Sequence, residues 1–233
     1  MLSAMTATPL PDLRRELAEI CRMLAARGLL IGTAGNVSSR SGDHVVITPT
    51  GADLGDIEAD DLCVLTLDGT QVGGALAPTS ELDLHLGCYR DLDIGALVHT
   101  HAPKSTAVAC AETVLPVFHY QQLLLGGDTP VVPFHPFGTP ELAESTVRAL
   151  RGKQAALLAN HGAVTIGASL AKAVDNALLL EWACAVFLDA RILGGPRLLD
   201  DEQQAAVIRA ALTRGYGTTR PAETGNPVEQ EQQ

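Results

Sequence analysis

The stretch Gly95-Ala96-Leu97-Val98-His99-Thr100-His101 decides how the rest of the chain is read. Its apolar run predicts a buried strand over residues 94–100. Side chains alternate along a strand, so a spacing of two sets His99 and His101 on one face at the strand end. Two imidazoles converging there begin a divalent-metal site. Seven histidines in 233 residues also place two this close by chance. A second short apolar run, residues 155–159, ends in Asn160-His161-Gly162. His161 is then either a third ligand arriving from a neighbouring strand or an ordinary turn histidine before a loop.

Upstream, Pro78-Thr79-Ser80-Glu81 opens a helix carrying Leu82, Leu86 and Tyr89 at helical spacing. Glu81 has two readings. Ser80 as N-cap with Asp83 at N3 makes a capping arrangement, and an acid is favourable at that helix end. A carboxylate beside three imidazoles would instead bind the metal, or leave it and serve as general base. His85 shares the helix face of Glu81 and so imitates a ligand pair; a packing role is favoured for it.

Three small-residue loops add a second signal: Gly32-Thr33-Ala34-Gly35-Asn36-Val37-Ser38, Thr48-Pro49-Thr50-Gly51 and Thr79-Ser80. None is a dinucleotide fingerprint or a P-loop. Each offers hydroxyls, an amide or backbone N–H groups that hold phosphate oxygens without Lys or Arg. Taken singly, each is also a plain turn or cap. No Lys lies in any of these motifs, which argues against Schiff-base chemistry.

Around these motifs strands and helices intermix. Helices are expected over residues 11–26, from Pro78, over 104–111, 140–151, 170–193 and 200–214, the last ending at Gly215. Strands are expected at 38–40 and 45–48 as a hairpin around Ser41-Gly42-Asp43, at 61–67, near Val117 and at 131–134. The rhythm is not the strict βαβ alternation of a doubly wound sheet, so α/β layers around a mixed or antiparallel sheet are expected. One domain is expected over residues 10–217, followed by a polar and disordered tail over 218–233.

Sixteen basic against 27 acidic residues give a net charge of −11, which disfavours nucleic-acid and membrane-surface partners. Eight aromatic residues are too few for a base-stacking platform. With 46% apolar and 18% charged residues the chain packs as a globular protein. Cys21, Cys63, Cys88, Cys110 and Cys184 form no C-x-x-C pair and read as buried free thiols in a reducing compartment. The N-terminus lacks an apolar signal core, and the oily segment 177–188 is short and broken by Glu181. A soluble, cytoplasmic protein is expected.

Taken in order, these motifs resemble the class II aldolase/adducin family. The resemblance rests on Thr-Ala-Gly35-Asn36-Val-Ser, Ile-Thr-Pro-Thr50-Gly51, Pro-Thr79-Ser80-Glu81, His99-Thr-His101 and Asn160-His161-Gly162. His119-Tyr120, Phe137-Gly-Thr139 and Tyr216-Gly217 extend it, so that it runs from about residue 12 to 217. It implies a single layered α/β/α domain around a central mixed, largely antiparallel sheet.

The resemblance further implies a catalytic zinc on His99, His101 and His161, with Glu81 as a fourth ligand and proton shuttle. Mn²⁺ or Co²⁺ would also suit such a donor set. Gly35, Asn36, Thr50, Gly51, Thr79 and Ser80 would cradle the phosphate of a small sugar substrate. Thr79 departs from the Ser common in the aldolases but keeps the hydroxyl. Tyr120 and Tyr216 match catalytic tyrosines that reach a neighbouring subunit's site, which implies a homotetramer with interfacial sites. The activity implied is cleavage of L-fuculose 1-phosphate or a 5-deoxypentulose 1-phosphate to dihydroxyacetone phosphate and an aldehyde. Relatives also epimerise, dehydrate or decarboxylate sugar phosphates, and those reactions form the runner-up. Glu at position 81, where epimerases commonly have Asp, and the tyrosine pair favour the aldolase. A binding module without chemistry would be expected to lose metal ligands, and a zinc hydrolase gives the three hydroxyl-lined loops no role.

Overall fold

The computed structural model describes residues 10–216. They fall into two compact units that divide between Leu199 and Asp200, a boundary inside the 10–217 span. The tail after residue 217 lies outside the described residues.

The first unit begins with α1 (Pro11–Ala26), where Pro11 presets the first turn and Leu17, Cys21 and Leu24 form the buried stripe. Strands β1 (Asn36–Ser41) and β2 (His44–Ile47) are joined through Gly42-Asp43 as a tight hairpin. β3 (Cys63–Thr66) and β4 (Gln71–Gly73) follow across the Asp68-Gly69 turn, after a 3₁₀ turn at Ala59–Asp61. Then come α2 (Leu82–Asp91), β5 (Ala96–Thr100), α3 (Pro103–Ala111) and the short β6 (Val114–Leu115). A 3₁₀ segment at Tyr120–Leu125 leads to β7 (Thr129–Val132), α4 (Pro140–Leu150) and β8 (Ala155–Leu158). β9 (Gly162–Gly167) and the long α5 (Leu170–Ile192) complete the unit.

The nine strands form one sheet in the order β4-β3-β2-β1-β5-β9-β8-β7-β6. Only β7 and β8 run parallel; the other pairs are antiparallel. The sheet is therefore mixed and largely antiparallel, as the family resemblance implies. Alternation along β5 sets the two faces. Ala96 and Val98 pack with α1 and α5, while Leu97 packs with side chains of α2 and α4. Each such buried Leu or Val contributes about 1.5–3 kcal/mol relative to exposure. α3 packs on α5 over β8 and β9.

The second unit holds α6 (Asp201–Arg214), capped by the Asp200 side chain on Gln203 N–H and closed by Gly215 at φ 57°.

Three local expectations change. Glu81, not Ser80, is the N-cap of α2, and its side chain makes no capping bond. β9 begins directly at Gly162, where a loop was expected. Val117 and Phe134 lie outside the strands. Among the five free cysteines four are buried, but Cys110 is exposed on α3. No helix among the described residues is long and apolar enough to cross a membrane.

Candidate metal centre and active-site cleft

His99 is the fourth residue of β5 and fully buried, on the sheet face covered by α2 and α4. In register it lies between Asn36 of β1 and Val164 of β9. His101 follows β5 directly. His161 occupies the β8–β9 turn, where Asn160 takes a left-handed φ of 55° and His161 N–H bonds Leu158 C=O at 3.0 Å. Asn is among the few residues that accept this conformation cheaply. Gly162 is required for a different reason. A Cβ there would stand 2.3 Å from Thr100 C=O, so only glycine lets β9 approach the end of β5.

The three rings meet edge to face, with centroids 4.8, 4.8 and 4.9 Å apart. One ligand atom from each lies within 4.8 Å of the others. The His99 ring lies 3.0 Å from Ala163 C=O through Nδ1, which must then carry the hydrogen. Its Nε2 is thereby aimed inward, the usual orienting contact of a metal-ligating imidazole. His101 Nε2 lies 3.0 Å from that atom, and two ring nitrogens at this distance hold a proton or a cation between them.

Glu81 closes the group. It is 5% exposed, with Oε2 at 3.1 Å from His99 Nε2 and Oε1 at 3.6 Å from His161 Nε2. Oε1 is buried without a hydrogen-bond partner. Burial raises the Glu81 carboxyl, but the facing His99 charge, its hydrogen bond and Asn36 outweigh this and hold it below the usual carboxylate range. Burial likewise lowers His99, and Glu81 reverses the sign and raises it. His101 is pushed down to about 4 by burial and by its two imidazole neighbours, against the pull of Glu81. An anionic carboxylate, three inward-facing imidazoles and an orphaned buried oxygen fit a divalent cation.

The expected phosphate residues converge beside this cluster. Gly35, Asn36, Thr50, Gly51, Thr79 and Ser80 line one cavity of about 420 Å³ together with Glu81, His101 and His161. An isolated bridge pairs Pro49 with Pro78, and Thr50 N–H to Ala77 C=O and Thr79 N–H to Thr48 C=O tie two of the loops side by side. Gly35 takes φ 94° and passes so close to His99 C=O that a Cβ would approach it to 2.9 Å. No Lys or Arg is among the described lining residues.

Sequence reasoning assigned no role to the outer wall, where Phe134 and Phe137, 62% and 70% exposed, flank His135. The Phe137-Gly138-Thr139 match was its only trace. Tyr120 is not brought to this cavity. It opens the 3₁₀ segment, 40% exposed, beside His119, whose ring also meets Trp182. Tyr216 belongs to the second unit and is 51% exposed.

A model of the class II aldolase and adducin N-terminal domain matches residues 15–188. A Rhodospirillum rubrum protein named 5-methylthioribulose-1-phosphate/5-deoxyribulose-1-phosphate aldolase is 34% identical over 212 residues, covering 90% of this chain and 96% of that one. A Bacillus thuringiensis protein named 5-deoxy-D-ribulose 1-phosphate aldolase is 32% identical over 207 residues, covering 88% and 96%. A solved structure named L-fuculose 1-phosphate aldolase superposes with a TM-score of 0.83 at 32% identity, covering 87% of this chain and 97% of that one. The matched span holds all nine strands and the whole imidazole–carboxylate cluster, and the chain belongs to the class II aldolase and adducin family.

Proposed function

We propose that this protein is a metal-dependent aldolase that cleaves a ketose 1-phosphate to dihydroxyacetone phosphate and an aldehyde. One observation carries the reading: three convergent imidazoles and Glu81 stand beside a cavity that Gly35, Asn36, Thr50, Gly51, Thr79 and Ser80, all uncharged, also line. The names of the relatives support the substrate class; they mention 5-methylthioribulose, 5-deoxyribulose and L-fuculose 1-phosphates, and the latter two are the candidates proposed for this protein.

His99, His101, His161 and Glu81 would hold the cation, and Zn²⁺ is the proposed occupant, with Mn²⁺ or Co²⁺ also suited. Bound there, it supplies positive charge that stabilises negative charge developing on the substrate oxygens. Gly35, Asn36, Thr50, Gly51, Thr79 and Ser80 hold the phosphate through N–H and hydroxyl groups, which fixes the reacting carbons against Glu81. When the C3–C4 bond breaks, its electron pair stays with C3 and the C4 hydroxyl passes its proton to the Glu81 carboxylate as it becomes the aldehyde carbonyl. Glu81 returns a proton to C3, and in the condensation direction removes it. Tyr120 and Tyr216, entering from neighbouring subunits of a homotetramer, hydrogen-bond the aldehyde oxygen. The enzyme works in the cytoplasm, where its five thiols stay reduced.

The deciding experiment assays metal-loaded protein on L-fuculose 1-phosphate and 5-deoxyribulose 1-phosphate, with release of dihydroxyacetone phosphate as the readout. Glu81→Gln keeps its metal by elemental analysis and loses about 10²–10⁴-fold in turnover. No release from either ketose phosphate, or full activity in Glu81→Gln, overturns the reading.

A further inference from the structure

His85 has no role in the chemistry above, yet it is fully buried and makes two short polar contacts. Its Nε2 lies 2.5 Å from Asn36 Oδ1 and its Nδ1 lies 2.6 Å from Ser38 Oγ. Ser38 Oγ in turn lies 2.8 Å from the Tyr89 hydroxyl. At the other end Asn36 Nδ2 donates to Glu81 Oε2 at 2.9 Å. Five buried side chains therefore form one continuous line from Tyr89 to Glu81, every one of them 5% exposed or less.

The chemistry of the line fixes its hydrogens. An ionised carboxylate only accepts, so the Asn36 amide nitrogen must face Glu81 and its carbonyl must face His85. His85 Nε2 then carries the hydrogen. In the neutral ring Nδ1 holds a lone pair and accepts from the Ser38 hydroxyl. Ser38 oxygen in turn accepts from Tyr89. Every donor points toward Glu81, and such aligned chains polarise one another.

The line also links two rigid elements. Glu81 at the N-cap of α2 and His85 and Tyr89 within it follow one another at one-turn spacing, while Asn36 and Ser38 share one face of β1. The result is an uneven pair of carboxylate oxygens: Oε2 is claimed by Asn36, and Oε1 is buried and unclaimed.

We propose that His85, acting through Asn36, is a positioning residue for Glu81, holding Oε2 in place and leaving Oε1 for the metal or, once released from it, for the reacting proton. The proposal rests on the aldolase reading for the proton but not for the placement. Three variants test it, His85→Leu, His85→Gln and Ser38→Ala. The measurements are kcat, KM on a ketose 1-phosphate, and Co²⁺ affinity of the metal-free protein by chelator competition.

In His85→Leu, kcat and Co²⁺ affinity each fall about 10–100-fold, the usual effect of removing a group that orients a metal ligand, while KM is unchanged. His85→Gln keeps an N–H within reach of Asn36 Oδ1 and recovers most of both. Ser38→Ala lowers both by about fivefold, the loss of one hydrogen bond, and decides the matter if His85→Leu does not fold. Wild-type values in His85→Leu or Ser38→Ala overturn the proposal. So does His85→Gln as impaired as His85→Leu, which reduces the ring to a space-filler. A raised KM with kcat intact also overturns it, because Asn36 would then serve the phosphate alone. A wild type that cleaves no ketose phosphate defeats the aldolase reading, while the order of Co²⁺ affinities still decides the placement.

Discussion

The imidazole of His85 is fully buried between α2 and β1, and burial pushes it down to about 3, with His99 adding to the effect and Glu81 opposing it. A histidine in the unfolded chain titrates near 6.5. The folded value is depressed, so the unfolded state takes up a proton that the folded state refuses as pH falls below about 6.5. His85 therefore contributes stability above that pH and loses it progressively toward about 3. From pH 7 to pH 5 the loss is about 2 kcal/mol. Urea unfolding of the metal-free wild type and His85→Gln at both pH values measures it: the wild type loses about 2 kcal/mol more than the variant. Parallel pH dependences would show that the ring is not held neutral. This residue was hard to read from sequence because its partners Ser38 and Asn36 lie 47 and 49 positions away. Its spacing from Glu81 suggested either a ligand or packing, and neither is a contact with β1. His99 and His101 were legible because the strand period alone puts them on one face.

At the scale of elements, α3 has no capping side chain of its own, since Ala102 is its N-cap. Glu181, from the middle of α5, supplies the cap instead. Its two oxygens accept from Lys104 N–H at 2.9 Å and Ser105 N–H at 2.8 Å. In the sequence Glu181 only broke an apolar run; its use became visible when α5 packed along α3. A carboxylate on otherwise unpaired N–H groups is worth about 1–2 kcal/mol. Glu181→Ala is expected to lower Tm by about 4 °C in a unit of this size, and Glu181→Gln by less because it keeps an acceptor. A wild-type Tm in Glu181→Ala would remove the cap from the account.

The same scale explains which elements were legible. α1 announced itself through Pro11, its apolar stripe and Gly28, all local signals. β9 did not, because Gly162 reads as a breaker until Thr100 C=O is seen to need the space a Cβ would fill. The capping pattern Ser80-x-x-Asp83 misplaced the start of α2, since tertiary contacts turn the Glu81 side chain toward His99 rather than back onto the helix.

For the whole molecule, a net charge of −11 stands against the binding of an anionic substrate. The proposed phosphate cradle would resolve this locally: no Lys or Arg is among the described lining residues of the cavity, and Asn36, Thr50, Thr79 and Ser80 would supply neutral donors beside the imidazole cluster. Neutral donors are short-ranged, so added salt removes little of their attraction, whereas it screens the long-range repulsion between the acidic surface and the ketose phosphate. A site built on Lys or Arg behaves the other way, losing affinity as salt rises. Between about 10 mM and about 200 mM of a non-coordinating salt, over which the Debye length shrinks from about 30 Å to under 10 Å, KM for the ketose 1-phosphate is expected to fall by up to about twofold or hold steady. Steady-state assays of the metal-loaded enzyme at fixed metal and pH check this. A KM that rises severalfold would mean that cationic side chains grip the phosphate, and the neutral cradle of Thr50, Thr79 and Ser80 would have to be abandoned.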